Sequence, residues 1–219
     1  MTTIEGVEIA DLEDSLLRAA SDLDTARIHS LLDDTLERHD LDEVVVDILV
    51  PVLHRVGHLW EQGHLSVMAE HSISGVTRSV IADVGRRPPT GSEPVIVLAC
   101  PPGELHDLPT HLFAAMLRAR GWHTIVLGAN VPWTAIARTV RSQQASACII
   151  ASMRAQSLTA RGTALARMGA HLPIYIAGPA ASASHPQGVT CLPDDWRAAA
   201  DIVSTGVDLI PPSSSHDAA

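Results

Sequence analysis

Hydrophobic positions in the first 86 residues recur every three or four residues, which is the period of amphipathic helices. Asp22 or Asp24 is a candidate N-cap for a second helix, and Asp40 or Asp42 for a third. Pro51 predicts a kink or a break in the third helix. A fourth helix is expected over residues 65–84, with Met68 among its inward-facing side chains. Four helices with short connections predict a small antiparallel bundle over residues 1–86.

The pattern changes after residues 87–94, whose prolines and glycine predict a linker. From residue 95 to residue 210, short apolar runs alternate with helical periods. Strands are predicted at 95–100, 123–127, 147–151, 174–177 and 189–192, with helices at 108–120, 133–141, 158–168 and 196–203. This alternation predicts an α/β domain with a parallel sheet covered on both faces, and such sheets bind ligands at the carboxyl ends of their strands. Residues 211–219 are predicted to form a disordered tail.

Composition narrows the class of protein. The chain has 15 basic and 25 acidic residues, a formal charge of −10, and its arginines are mostly scattered singly, so direct nucleic-acid binding is not expected. The three isolated cysteines fit reduced thiols, and neither a targeting segment nor an apolar run of membrane length is visible. Because the sequence also offers no pairing of nucleophile and base, we expect a cytoplasmic sensor or binding protein rather than an enzyme, with no membrane partner.

Candidate ligand-binding residues follow three of the predicted strands. An irregular loop after the first strand carries Glu104 and His106, Ser152 follows the third strand, and Gly178 follows the fourth. Each signal is weak alone, because loop histidines are more often solvated surface residues and small residues are common in α/β turns. At the carboxyl edge of one sheet, however, the three loops would share a site.

The order of these loops resembles that of the cobalamin-binding domain, which has Asp-x-His-x-x-Gly, then Ser-x-Leu, then Gly-Gly. Here the segments are Glu104-Leu105-His106-Asp107-Leu108-Pro109, Ser152-Met153-Arg154 and Ala177-Gly178. The resemblance implies a Rossmann-like, flavodoxin-like cobalamin-binding domain in which His106 is the metal ligand below cobalt and Glu104 supports its imidazole. It further implies cofactor contacts from Leu105, Asp107, Ser152, Met153, Gly178 and Pro179. The departures are Glu104, Pro109, Arg154 and Ala177, which stand where the family has Asp, Gly, Leu and Gly.

The helical half carries a second resemblance. Trp60 is followed after nine residues by Glu70-His71, which resembles the Trp-x9-Glu-His motif of the light-sensing adenosylcobalamin proteins. The resemblance implies a bundle that caps the upper face of the corrin, with Trp60 against the 5′-deoxyadenosyl group and Glu70 and His71 helping to hold it. Some members place a histidine directly after the tryptophan, and this histidine can bind cobalt after photolysis. In this chain the residue after Trp60 is Glu61. Whether His58, His64 or His71 substitutes is left open.

The leading hypothesis is therefore a cobalamin-dependent photoreceptor that loses its adenosyl group in light and changes conformation or oligomeric state. It would act as a homo-oligomer or through a separate regulator protein. A stand-alone sensor of this form also resembles the photocobilins, so a bilin such as biliverdin is a candidate second chromophore. The alternatives are a corrinoid methyl carrier for a methyltransferase system, a subunit of an adenosylcobalamin mutase, and an α/β binding module without cobalamin in which His106 is a surface residue.

Overall fold

The computed structural model describes residues 6–86, 93–154, 158, 162–179, 181 and 188–208. The predicted tail and most of the predicted linker lie outside these residues, so the predicted boundaries of the linker stay a prediction. The described chain forms two compact units. The helical unit contains the described residues of 1–88 with Leu108–Gly121, and the sheet unit contains those of 89–107 and 122–219.

Helices build the first unit, as the hydrophobic period predicts. In chain order they are α1 Gly6–Ser21, α2 Thr25–Arg38, α3 Leu41–Glu43, a π-helical segment Val44–Leu49, α4 Val50–Glu61, α5 Val67–Asp83 and α6 Leu108–Ala119. Asp24 caps α2, because its Oδ1 accepts the Arg27 N–H at 2.9 Å. Asp40 precedes α3 without a capping hydrogen bond from its side chain.

Pro51 was predicted to kink or break the third helix, and the structure shows no break there. The chain stays helical from Leu41 to Glu61, with π-helical hydrogen bonds just before the proline. Val50 N–H donates to the Val45 carbonyl, five residues back, and Pro51 stands within the first two positions of α4. A proline lacks the N–H that an α-helix would use there. The missing N–H of Pro51 therefore lies where the π-helical hydrogen bonds end and the α-helical ones begin.

Met68 faces solvent, so its prediction as an inward-facing residue is wrong. Its side chain is 58% exposed, whereas Ala69, Ile73 and Val80 are buried. The Ser66 hydroxyl accepts the Ala69 N–H at 3.1 Å and fixes the start of α5. The buried stripe of α5 then begins at Ala69, which leaves Met68 in the first turn outside it.

The sheet unit has five parallel strands in the order β2-β1-β3-β4-β5, which confirms the predicted Rossmann-like, flavodoxin-like class. The strands are β1 Val95–Ala99, β2 His123–Val126, β3 Ala147–Ala151, β4 Ile174–Ala177 and β5 Thr190–Cys191. The helices are α7 Trp133–Ser142, α8 Gly162–Gly169 and α9 Trp196–Asp208. The strand order reverses between β1 and β3, so the loops after these two strands adjoin at the ligand-binding edge.

Helix α6 belongs to the helical unit although it follows β1 in the chain. Its residues from Leu112 to Leu117 are all buried. At its carboxyl end, Arg118 donates to the carbonyls of Val84 and Ile81 at 2.8 and 2.9 Å, and Arg120 forms a two-point ion pair with Asp42. Arg118 therefore adds a charged donor to the Val84 carbonyl and to the Ile81 carbonyl, which also accepts the Val84 N–H. None of the described helices combines the length and apolar character needed to cross a bilayer.

Replacing Arg118 with alanine tests this anchor. We expect Arg118→Ala to lower the free energy of unfolding by about 1–3 kcal/mol, because two partly buried carbonyls lose a charged donor. Arg138→Ala is the matched control, since Arg138 is an exposed arginine on α7. Equal loss of stability in the two variants, measured by urea denaturation, would contradict the anchoring role.

Candidate functional site

His106 projects from the loop between β1 and α6 and is held by a buried carboxylate. Glu104 is 3% exposed, whereas the His106 side chain is 68% exposed. Glu104 Oε1 accepts the imidazole Nδ1–H at 2.7 Å and the His106 backbone N–H at 3.0 Å. This pairing selects the tautomer that keeps the lone pair on Nε2. An exposed imidazole oriented in this way is the arrangement that proteins use to bind a metal.

The second oxygen of Glu104 reaches the loop after β3. Oε2 accepts the Met153 N–H at 2.7 Å and is 3.4 Å from the Ser152 hydroxyl. Burial by itself would raise the pKa of Glu104, but the N–H groups of Met153 and His106 and the imidazole hold this pKa below its ordinary value. Glu104 is therefore ionised at neutral pH and joins two loops of the sheet edge.

Asn130 holds the same loop and was missed by the sequence analysis. Its Oδ1 accepts the Gly103 N–H at 2.9 Å, and its own N–H donates to the Glu104 carbonyl at 2.8 Å. Its φ angle of +54° lies in the left-handed region, which asparagine tolerates better than most residues. The available signal was an asparagine in the Gly128-Ala129-Asn130 turn, at the carboxyl edge where ligand-binding loops are expected.

Ser152 and Gly178 are packed backbone to backbone. The Ser152 N–H donates to the Ala177 carbonyl at 3.1 Å, and Gly178 has a φ angle of +84°. A Cβ on Gly178 would lie 3.0 Å from the Ser152 carbonyl oxygen, so a side chain there would force one of the two loops to move. Pro179 follows Gly178 and is exposed. The structure thus brings the predicted residues of the three loops to one edge of the sheet.

Two apolar side chains next to these polar groups are exposed to solvent. Leu105 directly precedes His106 in the chain. Met153 is next to the Glu104 carboxylate, to which its backbone N–H donates a hydrogen bond. Asp107 is partly buried, with its carboxylate on the side of Gly128. Exposed apolar groups around a single imidazole suit a metal that arrives inside an organic macrocycle, which needs both a ligand and a hydrophobic surface. The contacts of these residues with a cofactor stay a prediction.

The predicted cap residues all lie in the helical unit. Trp60 stands in the last turn of α4 and is 47% exposed, and Glu70 stands in the first turn of α5. The Glu70 carboxylate accepts hydrogen bonds from the Ser74 hydroxyl at 2.8 Å and from the His71 ring. Ser74 was not predicted, although its position four residues after Glu70 places it on the same helix face. Trp60, Val67 and Met68 leave exposed apolar surface on either side of the turn between the helices.

The ionisation of Glu104 can be tested through stability. Because folding lowers the pKa of Glu104 from its ordinary 4.5, its carboxylate stabilises the fold above that pH and loses this effect as the pH falls through the lower folded value. We expect Glu104→Gln to reduce the free energy of unfolding most at neutral pH, with the difference from the unsubstituted protein shrinking below about pH 4.5. Urea denaturation at stepped pH values measures this, with exposed Glu61→Gln as control. A deficit that is constant with pH would contradict the assignment.

Comparison with known proteins finds relatives and a solved structure that cover most of the chain. The HTH-type transcriptional repressor CarH of Myxococcus xanthus is 32% identical over 179 residues, covering 78% of this chain and 58% of the relative. The repressor CarA of the same organism is 26% identical over 133 residues, covering 60% of this chain and 44% of the relative. The chain therefore spans about half the length of these curated relatives. The monomethylamine corrinoid protein of Methanosarcina barkeri shares the fold, with a TM-score of 0.66 at 13% identity over 92% of this chain and 99% of that one.

The family match agrees with the two-unit organisation. The B12 binding domain description matches residues 12–83, which lie in the helical unit, and separately residues 94–203, which cover half of the chain. The second match includes the loops that carry His106, Ser152 and Gly178. The chain belongs to the B12 binding domain family, with a helical domain followed by a cobalamin-binding Rossmann-like domain.

Proposed function

We propose that this protein is a light sensor that uses adenosylcobalamin as its chromophore. The observation that carries the proposal is the Glu104–His106 pair, in which a buried carboxylate fixes Nδ1 of an exposed imidazole at the carboxyl end of β1. A cobalt corrin supplies absorption of visible light and a weak bond from cobalt to carbon. His106 would bind the lower face of cobalt through Nε2, and Glu104 would increase the basicity of that nitrogen.

The remaining residues of the sheet edge would bind the corrin around His106. Leu105 and Met153 offer exposed apolar surface, and Gly178, which packs against the Ser152 backbone, is exposed beside them. Ser152, Asp107 and Pro179 complete the predicted contact set. Because Glu104 is hydrogen-bonded to both loops, this surface is preorganised before the cofactor arrives, which reduces the ordering cost of binding.

The cap residues favour an adenosyl group as the upper ligand. Adenine is a flat aromatic ring on a polar ribose, so it is matched by a tryptophan face together with a few polar partners. Trp60 supplies the exposed aromatic surface. The Ser74 hydroxyl holds the Glu70 carboxylate in one orientation by a hydrogen bond within α5. His71 adds a second polar group. In this proposal, Trp60, Glu70 and His71 would hold the adenosyl group in the dark, and the helical unit would change conformation once these residues no longer contact it.

The output is proposed to be a change of conformation or oligomeric state that a partner reads. Two relatives of this chain are HTH-type transcriptional repressors, and the chain covers only about half of their length. Since its own charge is −10, we propose signalling through a homo-oligomer or a separate regulator rather than through DNA contact. A bilin as second chromophore is part of the proposal only as an addition to cobalamin.

A corrinoid methyl carrier is the alternative function. It would require the same His106 ligand and a similar helical cap, but its upper face would have to open to partner enzymes. The exposed Trp60 and the oriented Glu70 are better suited to holding a large organic group than to admitting an enzyme. The upper ligand retained by the protein separates the two functions.

Visible spectra of the full chain with adenosylcobalamin, recorded in the dark and after green light, test the proposal directly. We expect a bound spectrum that changes irreversibly in light, together with a shifted elution volume in size-exclusion chromatography. His106→Ala should weaken cobalamin binding at least about tenfold, whereas exposed His171→Ala should not. Binding without a light-driven change of assembly would favour the methyl carrier. Absence of binding would contradict the cobalamin function altogether.

The adenosyl pocket is tested by Trp60→Ala. We expect this variant to bind adenosylcobalamin about fivefold more weakly, because an aromatic contact contributes about 1 kcal/mol, and to bind methylcobalamin as before. Leu23→Ala is the matched control, since Leu23 is an equally exposed apolar residue of the helical unit. Titration of both variants with both cobalamins measures the selectivity. An equal loss for both cofactors would remove Trp60 from the adenosyl pocket.

A further inference from the structure

Arg154 is a cation on the loop that follows β3. It stands where the resembling family pattern has leucine, and it is exposed. Its backbone is fixed by Ser152, whose Oγ accepts the Arg154 N–H and donates to the Arg154 carbonyl, both at 3.2 Å. Within the described part of the chain, the hydrogen bonds of Arg154 are made by its backbone, so its guanidinium is available to a ligand.

The loop that carries Arg154 is held firmly against its neighbours. Met153 N–H is bound by the Glu104 carboxylate at 2.7 Å, and Ser152 N–H by the Ala177 carbonyl at 3.1 Å. Gly178 closes the other side, because its Cα lies too near the Ser152 backbone to carry a side chain without displacement. Arg154 is thus attached to rigid backbone next to the carboxylate that orients His106.

The charge of this edge determines what Arg154 can bind. Glu104 and Asp107 both lie on the neighbouring loop and are acidic, so an anionic group arriving there needs a compensating cation. The corrin ring of a cobalamin carries uncharged amide side chains, and its nucleotide tail is joined through a phosphodiester with one negative charge. An arginine guanidinium matches phosphate oxygens with two parallel N–H donors, which leucine at this position could not provide.

We propose that Arg154 binds the phosphodiester of the nucleotide tail and makes this chain selective for complete cobalamins over cobinamides, which lack the tail. This inference rests on the proposed binding of cobalamin with His106 as the lower ligand. It assigns a specificity-determining contact to the loop after β3, in addition to the metal ligand on the loop after β1. The contact is electrostatic and therefore predicts a dependence on ionic strength.

The test compares two corrinoids on three variants. Aquocobalamin and aquocobinamide are titrated into the full chain and into Arg154→Gln, Arg154→Lys and Arg138→Gln, with binding followed by the corrin absorption bands. We expect Arg154→Gln to weaken aquocobalamin binding about tenfold, which corresponds to about 1.4 kcal/mol, and to leave aquocobinamide binding unchanged. Arg154→Lys should retain part of the selectivity, because it keeps the charge but loses the two-point geometry. Arg138→Gln, which removes the same charge from an exposed helix position, should change neither affinity.

Raising the salt concentration should narrow the difference between the full chain and Arg154→Gln for aquocobalamin alone. In an Arg154→Gln protein that melts like Arg138→Gln, an equal loss for both corrinoids, or no loss for either, would overturn the assignment to the tail phosphate while leaving the cobalamin function standing. Failure of the unsubstituted chain to bind either corrinoid would overturn both proposals. Because aquocobinamide binding also reports the fold of each variant, a misfolded Arg154→Gln protein is recognised by losing both ligands and by melting earlier than Arg138→Gln.

Discussion

The Glu104 carboxylate accepts hydrogen bonds from three donors on two loops, and the candidate site depends on this arrangement. The donors are the ring and backbone of His106 and the backbone of Met153, and the Ser152 hydroxyl lies 3.4 Å from the second carboxylate oxygen. A buried charge without such partners would cost several kcal/mol, so the loops can adopt their observed conformation only together. The orientation of the His106 imidazole is therefore a consequence of how the edges of β1 and β3 are joined.

The backbone around this carboxylate is shaped to bring its donors within reach. Asn130 takes a left-handed conformation and binds the Glu104 carbonyl from the loop after β2, while Gly178 admits the Ser152 backbone from the other side. Both positions select residue types that tolerate positive φ. The site thus draws on loops after four consecutive strands, although the groups that would touch a cofactor are fewer.

Much of the fold follows from the sequence because each element has its own period. The apolar runs at β1, β3 and β4 mark buried parallel strands, and the loop that carries Glu104 and His106 has too many prolines for a helix or strand. The role of Asn130 could not be predicted, because it depends on hydrogen bonds across 27 positions in the chain. Met68 was misplaced because periodicity does not locate the first residue of a helix, which the Ser66 cap determines. The cofactor contacts of the site residues remain predictions from resemblance.

Helix α6 contains an uninterrupted apolar run, a feature of the sequence that helical periodicity does not interpret. Its residues from Leu112 to Leu117 are apolar without interruption and all are buried, which is the pattern of a helix covered on every face rather than on one. Arg118 and Arg120 then fix its end to the carbonyls of α5 and to Asp42. Only Asp107 separates His106 from the start of α6 in the chain, so the loop that orients the imidazole is continuous with a helix of the other unit.

The replacement of aspartate by Glu104 in the family pattern has a geometric consequence. Shortening this side chain by one carbon would withdraw both oxygens by about 1.5 Å, and the Met153 N–H and the imidazole Nδ1 are now each 2.7 Å away. Aspartate on the same backbone could not keep both contacts within hydrogen-bond distance. An aspartate at this position would therefore need the loop after β3 to lie closer to the loop after β1. The length of the carboxylate side chain and the spacing of the two loops therefore depend on each other. Because Arg154 follows Met153 on the loop after β3, its position depends on the same spacing.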